Sequence, residues 1–250
     1  MLMASDKIDS IAGVFDDALH TLIQHSGESL DDLTNGADAE TLETALQQLL
    51  DILNATENFS MATRQSLASL SEDEVTAIGE HGLNFINECS EWAAELDLPE
   101  VKLQFESISY PLALWIARHG GEIRTLEPIV NSLAAISNQT FDPVDLELIA
   151  AHTGLIIDAT SPLIKQDQEP NNPARPWRIL NLNYGITATR SHNPDLMEES
   201  FDTLVHNIPN DAYEFFNEGM QQMDALNYPD HVRNVMQKYY TEWSTSRTLH

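Results

Sequence analysis

Residues 71–98 read SEDEVTAIGEHGLNFINECSEWAAELDL, and their periodicity decides the fold class. Val75, Ile78, Gly82, Ile86, Cys89, Ala93 and Leu96 recur every three or four residues, which puts them on one stripe of an α-helix. Ser71 and Glu74 stand at its head as a capping box, in which hydroxyl and carboxylate each satisfy an orphan backbone donor.

The same period runs outward on both sides. Upstream, Ile8, Ile11, Ala12, Phe15, Leu19, Leu22 and Ile23 form one stripe, and Leu42, Ala45, Leu46, Leu49 and Leu53 another. A linker rich in Gly, Ser, Asn and Asp, Gly27 to Gly36, separates them, and Asn58 is placed as the cap of a short helix running to Leu70. Downstream, Pro99 opens a helix through Val101, Phe105, Ile108, Leu112 and Ile116, which Gly120-Gly121 ends. Pro111 lies inside that run and is expected to kink or split it. Leu126, Val130 and Leu133 mark the next helix, with Thr125 as cap and Pro128 in the first turn. Asp142-Pro143 and Asn193-Pro194 are cap-then-proline starts, and Tyr228-Pro229 offers the proline without a good cap. Only Trp177–Tyr184 is ambiguous, readable as strand or buried helix. The expected fold is all-α, with antiparallel helix hairpins in an irregular bundle or a short right-handed α–α array.

Every proline lies at or after position 99. This divides the chain into an acidic, proline-free helical region (1–98) and a proline-punctuated one (99–250), expected to form one compact domain. An apolar fraction of 42% with 21% charged residues is ordinary globular composition. The net charge of −28 is not, and residues 1–100 hold 21 acids against Lys7 and Arg64 alone. Such a field repels phosphate backbones and anionic lipid, so nucleic-acid and membrane-surface binding are excluded for the chain as a whole. It is compatible with a basic partner or with a merely solvated surface.

Cys89 is the single cysteine, which rules out an internal disulfide and any multi-cysteine metal site. Its place on an apolar stripe reads as core. The Asp17/His20 and Asp202/His206 pairs read as surface pairs, so no metal and no cofactor is expected. The N-terminus shows no basic region followed by an apolar run, and no stretch approaches the roughly 20 apolar residues of a membrane span. The expected location is the cytoplasm, which leaves the sequons at Asn54, Asn58 and Asn138 without weight.

Starts near Pro176, Pro194, Asp211 and Pro229 fall 17 or 18 residues apart, the pitch of helix-hairpin arrays. In the last third, Ala212, Phe216 and Gly219 match the small–aromatic–small spacing of the second helix in the tetratricopeptide-like class, which the chain resembles there. Leu196, Glu199, Ser200 and Thr203 do not match the first helix of that class, so the resemblance implies architecture only.

One stretch departs from the rest. From Pro170 to Pro194 there is no acid in 25 residues. Guanidinium forks, amides and aromatic faces there suit recognition of a carboxylate or phosphate. The candidate site residues are Arg175, Trp177, Arg178, Asn181, Tyr184, Arg190 and His192. The competing reading is a tether, in which the arginines tie the segment to acids on neighbouring helices. Phe215, Tyr239, Tyr240 and Trp243 read as core, and Met220, Met223 and Met236 as gap-fillers. With no catalytic motif in the chain, the expected function is a cytoplasmic helical interaction module presenting a groove to a protein or peptide, a basic one if the charge is used. The alternative is an enzyme or small-molecule binder that holds an anion in the acid-free segment.

Overall fold

The computed structural model describes residues 8–27, 34, 36, 38–62 and 70–247. Among them are eleven α-helices and no β-strand, so the chain is all-α. The helices are α1 (Ile8–Ser26), α2 (Ala39–Ala62), α3 (Glu72–Glu95), α4 (Pro99–Arg118), α5 (Glu127–Gln139), α6 (Pro143–Ala159), α7 (Pro162–Lys165), α8 (Pro176–Arg190), α9 (Pro194–Asn207), α10 (Pro209–Leu226) and α11 (Asp230–Arg247). Two compact units result, Met1–Ile136 and Ser137–His250. Their boundary falls inside α5, and the compositional boundary at residues 98 and 99 falls inside the first unit.

In the first unit α3 packs along α4, and α1 packs on α4, α2 and α3. Phe15, Leu19 and Leu22 of α1 are buried, with the Phe15 ring edge-on to Phe105 at 5.6 Å. Gly79 and Gly82 lie where a Cβ would run into Ile116 and Leu112, so these glycines set how closely α3 and α4 approach. Cys89 is buried, and burial pushes its thiol up, as a core residue requires. The capping box is present: Glu74 N–H donates to Ser71 Oγ at 3.3 Å and Ser71 N–H to Glu74 Oε2 at 2.8 Å. The hydrogen bonds from Ser71 hold the Glu74 carboxyl below its usual range.

Two expectations are corrected here. Asn58 starts no helix, because α2 runs through it to Ala62; most of the proposed helix beyond lies outside the described residues. Pro111 does not split α4, which is continuous from Pro99 to Arg118. A proline at 111 has no N–H for the carbonyl of Ser107. The buried hydroxyl of Ser132 on α5 donates to that oxygen instead, at 3.3 Å. The carbonyl is satisfied from a neighbouring helix, and the break is avoided.

The second unit stacks α6 on α8 and α8 on α9, while α10 and α11 pack on each other and on α9. The helices α6 to α10 open on proline, and Asp142, Ser161 and Asn193 are side-chain caps of α6, α7 and α9. Trp177–Tyr184 is helix, part of α8. Phe201 is buried at the centre, with Phe215, Phe216 and Tyr239 edge-on to it at 5.7, 5.2 and 5.1 Å.

Candidate functional site

The helix α8 carries most of the acid-free segment, and its two ends do different things. At its start the chain leaves α7 through Asp167, whose φ of 46° is left-handed, and returns through Arg175. Arg175 is buried, and its guanidinium reaches back: Nε donates to Asp167 Oδ1 at 2.6 Å and Nη2 to Asp167 Oδ2 at 2.9 Å. Nη1 donates to the Asn172 carbonyl at 2.9 Å, and Nη2 also to Asp211 Oδ2 of α10 at 3.1 Å. Arg178 Nε donates to the other oxygen of Asp211 at 2.5 Å. Two guanidinium ions and two carboxylates thus close a neutral knot, which offsets the cost of desolvating each charge. This is tether geometry for Arg175 and Arg178.

The middle of α8 faces the core. Trp177, Asn181 and Tyr184 are buried at positions that share one helical face. Asn181 is fully enclosed, donating to the Trp177 carbonyl and accepting from Asn207 Nδ2, both at 2.8 Å. The Trp177 carbonyl and the Asn207 amide satisfy its two polar ends, which lets a polar residue stand among apolar ones. Tyr184 donates to Glu199 Oε1 at 3.3 Å, and burial, then the Glu199 carboxylate, raise its phenol above the ordinary range.

Arg190 stands 12 residues beyond Arg178, about 18 Å along the helix axis. It does not join the knot. Its Nη1 donates to the Ser137 carbonyl at 2.8 Å and its Nη2 to the Thr140 carbonyl at 2.7 Å, capping the C-terminal end of α5. His192 follows with a left-handed φ of 60°, its ring edge-on to Tyr228 at 5.4 Å. Burial raises the Tyr228 phenol, with Arg190 opposing.

Beside Arg190 the surface opens into a concavity of about 370 Å³. Phe215, Met223, Met236 and Tyr228 line it, together with Ile186 and Leu226, which are both exposed. Two glycines shape it. A Cβ on Gly185 would lie 2.6 Å from the Phe215 ring, and one on Gly219 2.6 Å from the Met236 sulfur. Their absence lets the ring and the thioether lie close against the helix backbones. Glu218 and Gln222 supply polar groups at the exposed edge.

Of the seven candidate residues, Arg175 and Arg178 converge on Asp211, Trp177, Asn181 and Tyr184 enter the core, and Arg190 and His192 lie at the concavity or against its Tyr228. The sequence reading took Phe215 as core and Met223 and Met236 as gap-fillers, and so passed over the groove. The available signal was Ile186 and Leu226, apolar residues set off the buried faces of their helices. The paired residues elsewhere resolve simply: Asp202 accepts from Tyr239 at 2.6 Å, and His20 meets Gln24 at 2.7 Å. Among the described residues no helix is long and apolar enough to cross a membrane. No protein-family model, curated protein or solved structure matches the chain.

Proposed function

We propose that this chain is a cytoplasmic helical interaction module whose second unit takes a bulky apolar side chain of a protein or peptide partner into the groove between α8, α10 and α11. The observation that carries the reading is the concavity of about 370 Å³ floored by Phe215, Met223 and Met236 with exposed Ile186 and Leu226 on it. That volume sits in the lower part of the range of roughly 300–1,000 Å³ for binding pockets. Exposed apolar side chains cost free energy in water that burial by a partner recovers, about 25 cal/mol per Å². Thioethers repack around differing shapes, as a peptide groove requires. Glu218 at the edge and a net charge of −28 favour a partner with Lys or Arg beside the apolar anchor.

The test is to select a phage-displayed random peptide library on the full chain and to measure the enriched peptides by fluorescence polarisation. Enriched sequences should share a bulky apolar residue near a base, and Ile186→Glu should weaken them at least about tenfold, or 1.4 kcal/mol, at unchanged melting temperature. Failure to enrich, or equal binding to Ile186→Glu, rejects the reading.

A further inference from the structure

The helix α6 presents a second surface, on the side away from its packing. Leu146, Ile149, Ala150, Thr153, Ile156 and Ile157 are buried, and α6 packs on α8 and α9. A surface helix ordinarily turns a polar face to water. Here Val144 is 72% exposed, Leu148 46% and Leu155 45%, and Phe141, two residues ahead of the helix, is 82% exposed. With exposed Ala151 these positions fall at spacings of three, four, three and four, a straight stripe of heptad type running about 17 Å from Val144 to Leu155.

Charge decides what such a stripe accepts. Asp145 flanks it on one side, and Glu147 and Asp158 flank it on the other. The helix carries no Lys or Arg. A second copy of the chain would bring these carboxylates against their own counterparts, on top of −28 per copy. An anionic lipid surface is repelled for the same reason. A helix with apolar residues in heptad register and bases beside them meets both requirements, since its stems cover the stripe while its charges pair with Asp145, Glu147 and Asp158.

We propose that the outer face of α6 docks a basic amphipathic helix of a partner protein. This site is separate in residues from the groove at Ile186 and stands whether or not that groove binds.

A labelled synthetic peptide of three heptads, about 21 residues with Leu at a and d and Lys at e and g, serves as the probe on the full chain. Controls are its Glu counterpart and a scrambled Lys peptide of equal charge. The Lys peptide should bind saturably and one to one, and Leu148→Glu should weaken it by about tenfold or more. The double charge swap Asp145→Lys with Glu147→Lys should weaken the Lys peptide and gain the Glu peptide. Ile186→Glu should leave binding unchanged, which separates failure here from failure of the groove. Equal binding by the scrambled peptide, or binding indifferent to both sets of substitutions, reduces the effect to bulk charge and overturns the proposal. So does a dimer in analytical ultracentrifugation that Leu148→Glu dissolves, because the face is then covered by a second copy.

Discussion

The two units solve the same problem with different chemistry. The first carries five bases against 24 acids, a net of −19, and the second seven against 16, a net of −9. In the first, the central contacts are apolar: Phe15 on Phe105, and the α3 glycines under Ile116 and Leu112. In the second, side-chain hydrogen bonds join helix to helix around the apolar centre, from Arg175 and Arg178 to Asp211, Asn207 to Asn181, Tyr184 to Glu199 and Tyr239 to Asp202. Arginines are spent internally where carboxylates would otherwise repel. The first unit packs its centre through apolar stripes, whereas the second uses arginines as ties between its helices.

The largest test of that contrast is paired. Phe105→Ala should cost about 3–5 kcal/mol through the cavity it leaves, with little dependence on salt. Arg175→Ala should cost roughly 3 kcal/mol by leaving Asp167 and Asp211 partly buried and unpaired. Arg178→Ala, at a more exposed guanidinium, should cost about 1–2 kcal/mol. Chemical denaturation of the full chain gives the totals, and hydrogen exchange gives the location, around α3 and α4 for the first and around α8 and α10 for the others. An Arg175→Ala cost under about 1 kcal/mol would show that the knot holds nothing together.

Next in size is the opposite pH dependence of the two units. Burial raises Tyr184 and Tyr239, so their contribution is present below the ordinary tyrosine value of about 10 and is lost as pH rises past it. Tyr239→Phe together with Tyr184→Phe should flatten the alkaline limb of melting temperature in the second unit. In the first unit Glu74 is lowered by its hydrogen bonds from Ser71. Its contribution is present above the ordinary glutamate value of about 4.3 and is lost as pH falls through the lowered one. Ser71→Ala should cost about 1 kcal/mol at neutral pH and reduce the acid limb of α3. An alkaline limb unchanged in the double tyrosine variant would count against the polar account of the second unit.

What was legible follows the range of the interaction. Caps act over three residues, and Ser71 with Glu74, Asp142 and Asn193 were read correctly from the sequence. Stripes act over one helix, and they gave the all-α class. That Pro111 leaves its helix unsplit was not legible, because the hydroxyl that satisfies the freed carbonyl comes from Ser132, beyond the end of α4. The acid-free segment stayed open between tether and site because Asp211, which receives Arg175 and Arg178, lies 36 and 33 residues away. Trp177–Tyr184 stayed open between strand and buried helix because α8 buries Asn181 beside Leu180, and a buried amide disguises the apolar face.

The smallest effect sharpens the comparison most finely, because it sets the same backbone conformation in different surroundings. The helices α3, α4 and α8 each end on a residue in the left-handed region: Asp97 at φ 56°, Gly120 at φ 78° and His192 at φ 60°. The first two close the same motif, Leu98 N–H to the Ala93 carbonyl at 2.8 Å and Gly121 N–H to the Ile116 carbonyl at 2.9 Å. A Cβ disfavours this region and glycine does not. Asp97→Gly should therefore stabilise the first unit by up to about 1 kcal/mol, and Gly120→Ala should destabilise it by a similar amount. In the second unit His192→Gly relieves the same strain but removes the ring that meets Tyr228 at the groove. Its net effect should lie below that of Asp97→Gly, by the roughly 0.5–1.5 kcal/mol an aromatic contact contributes. Equal gains from Asp97→Gly and His192→Gly would mean that the Tyr228 contact adds nothing, and that the histidine stands at the end of α8 only as a helix terminator.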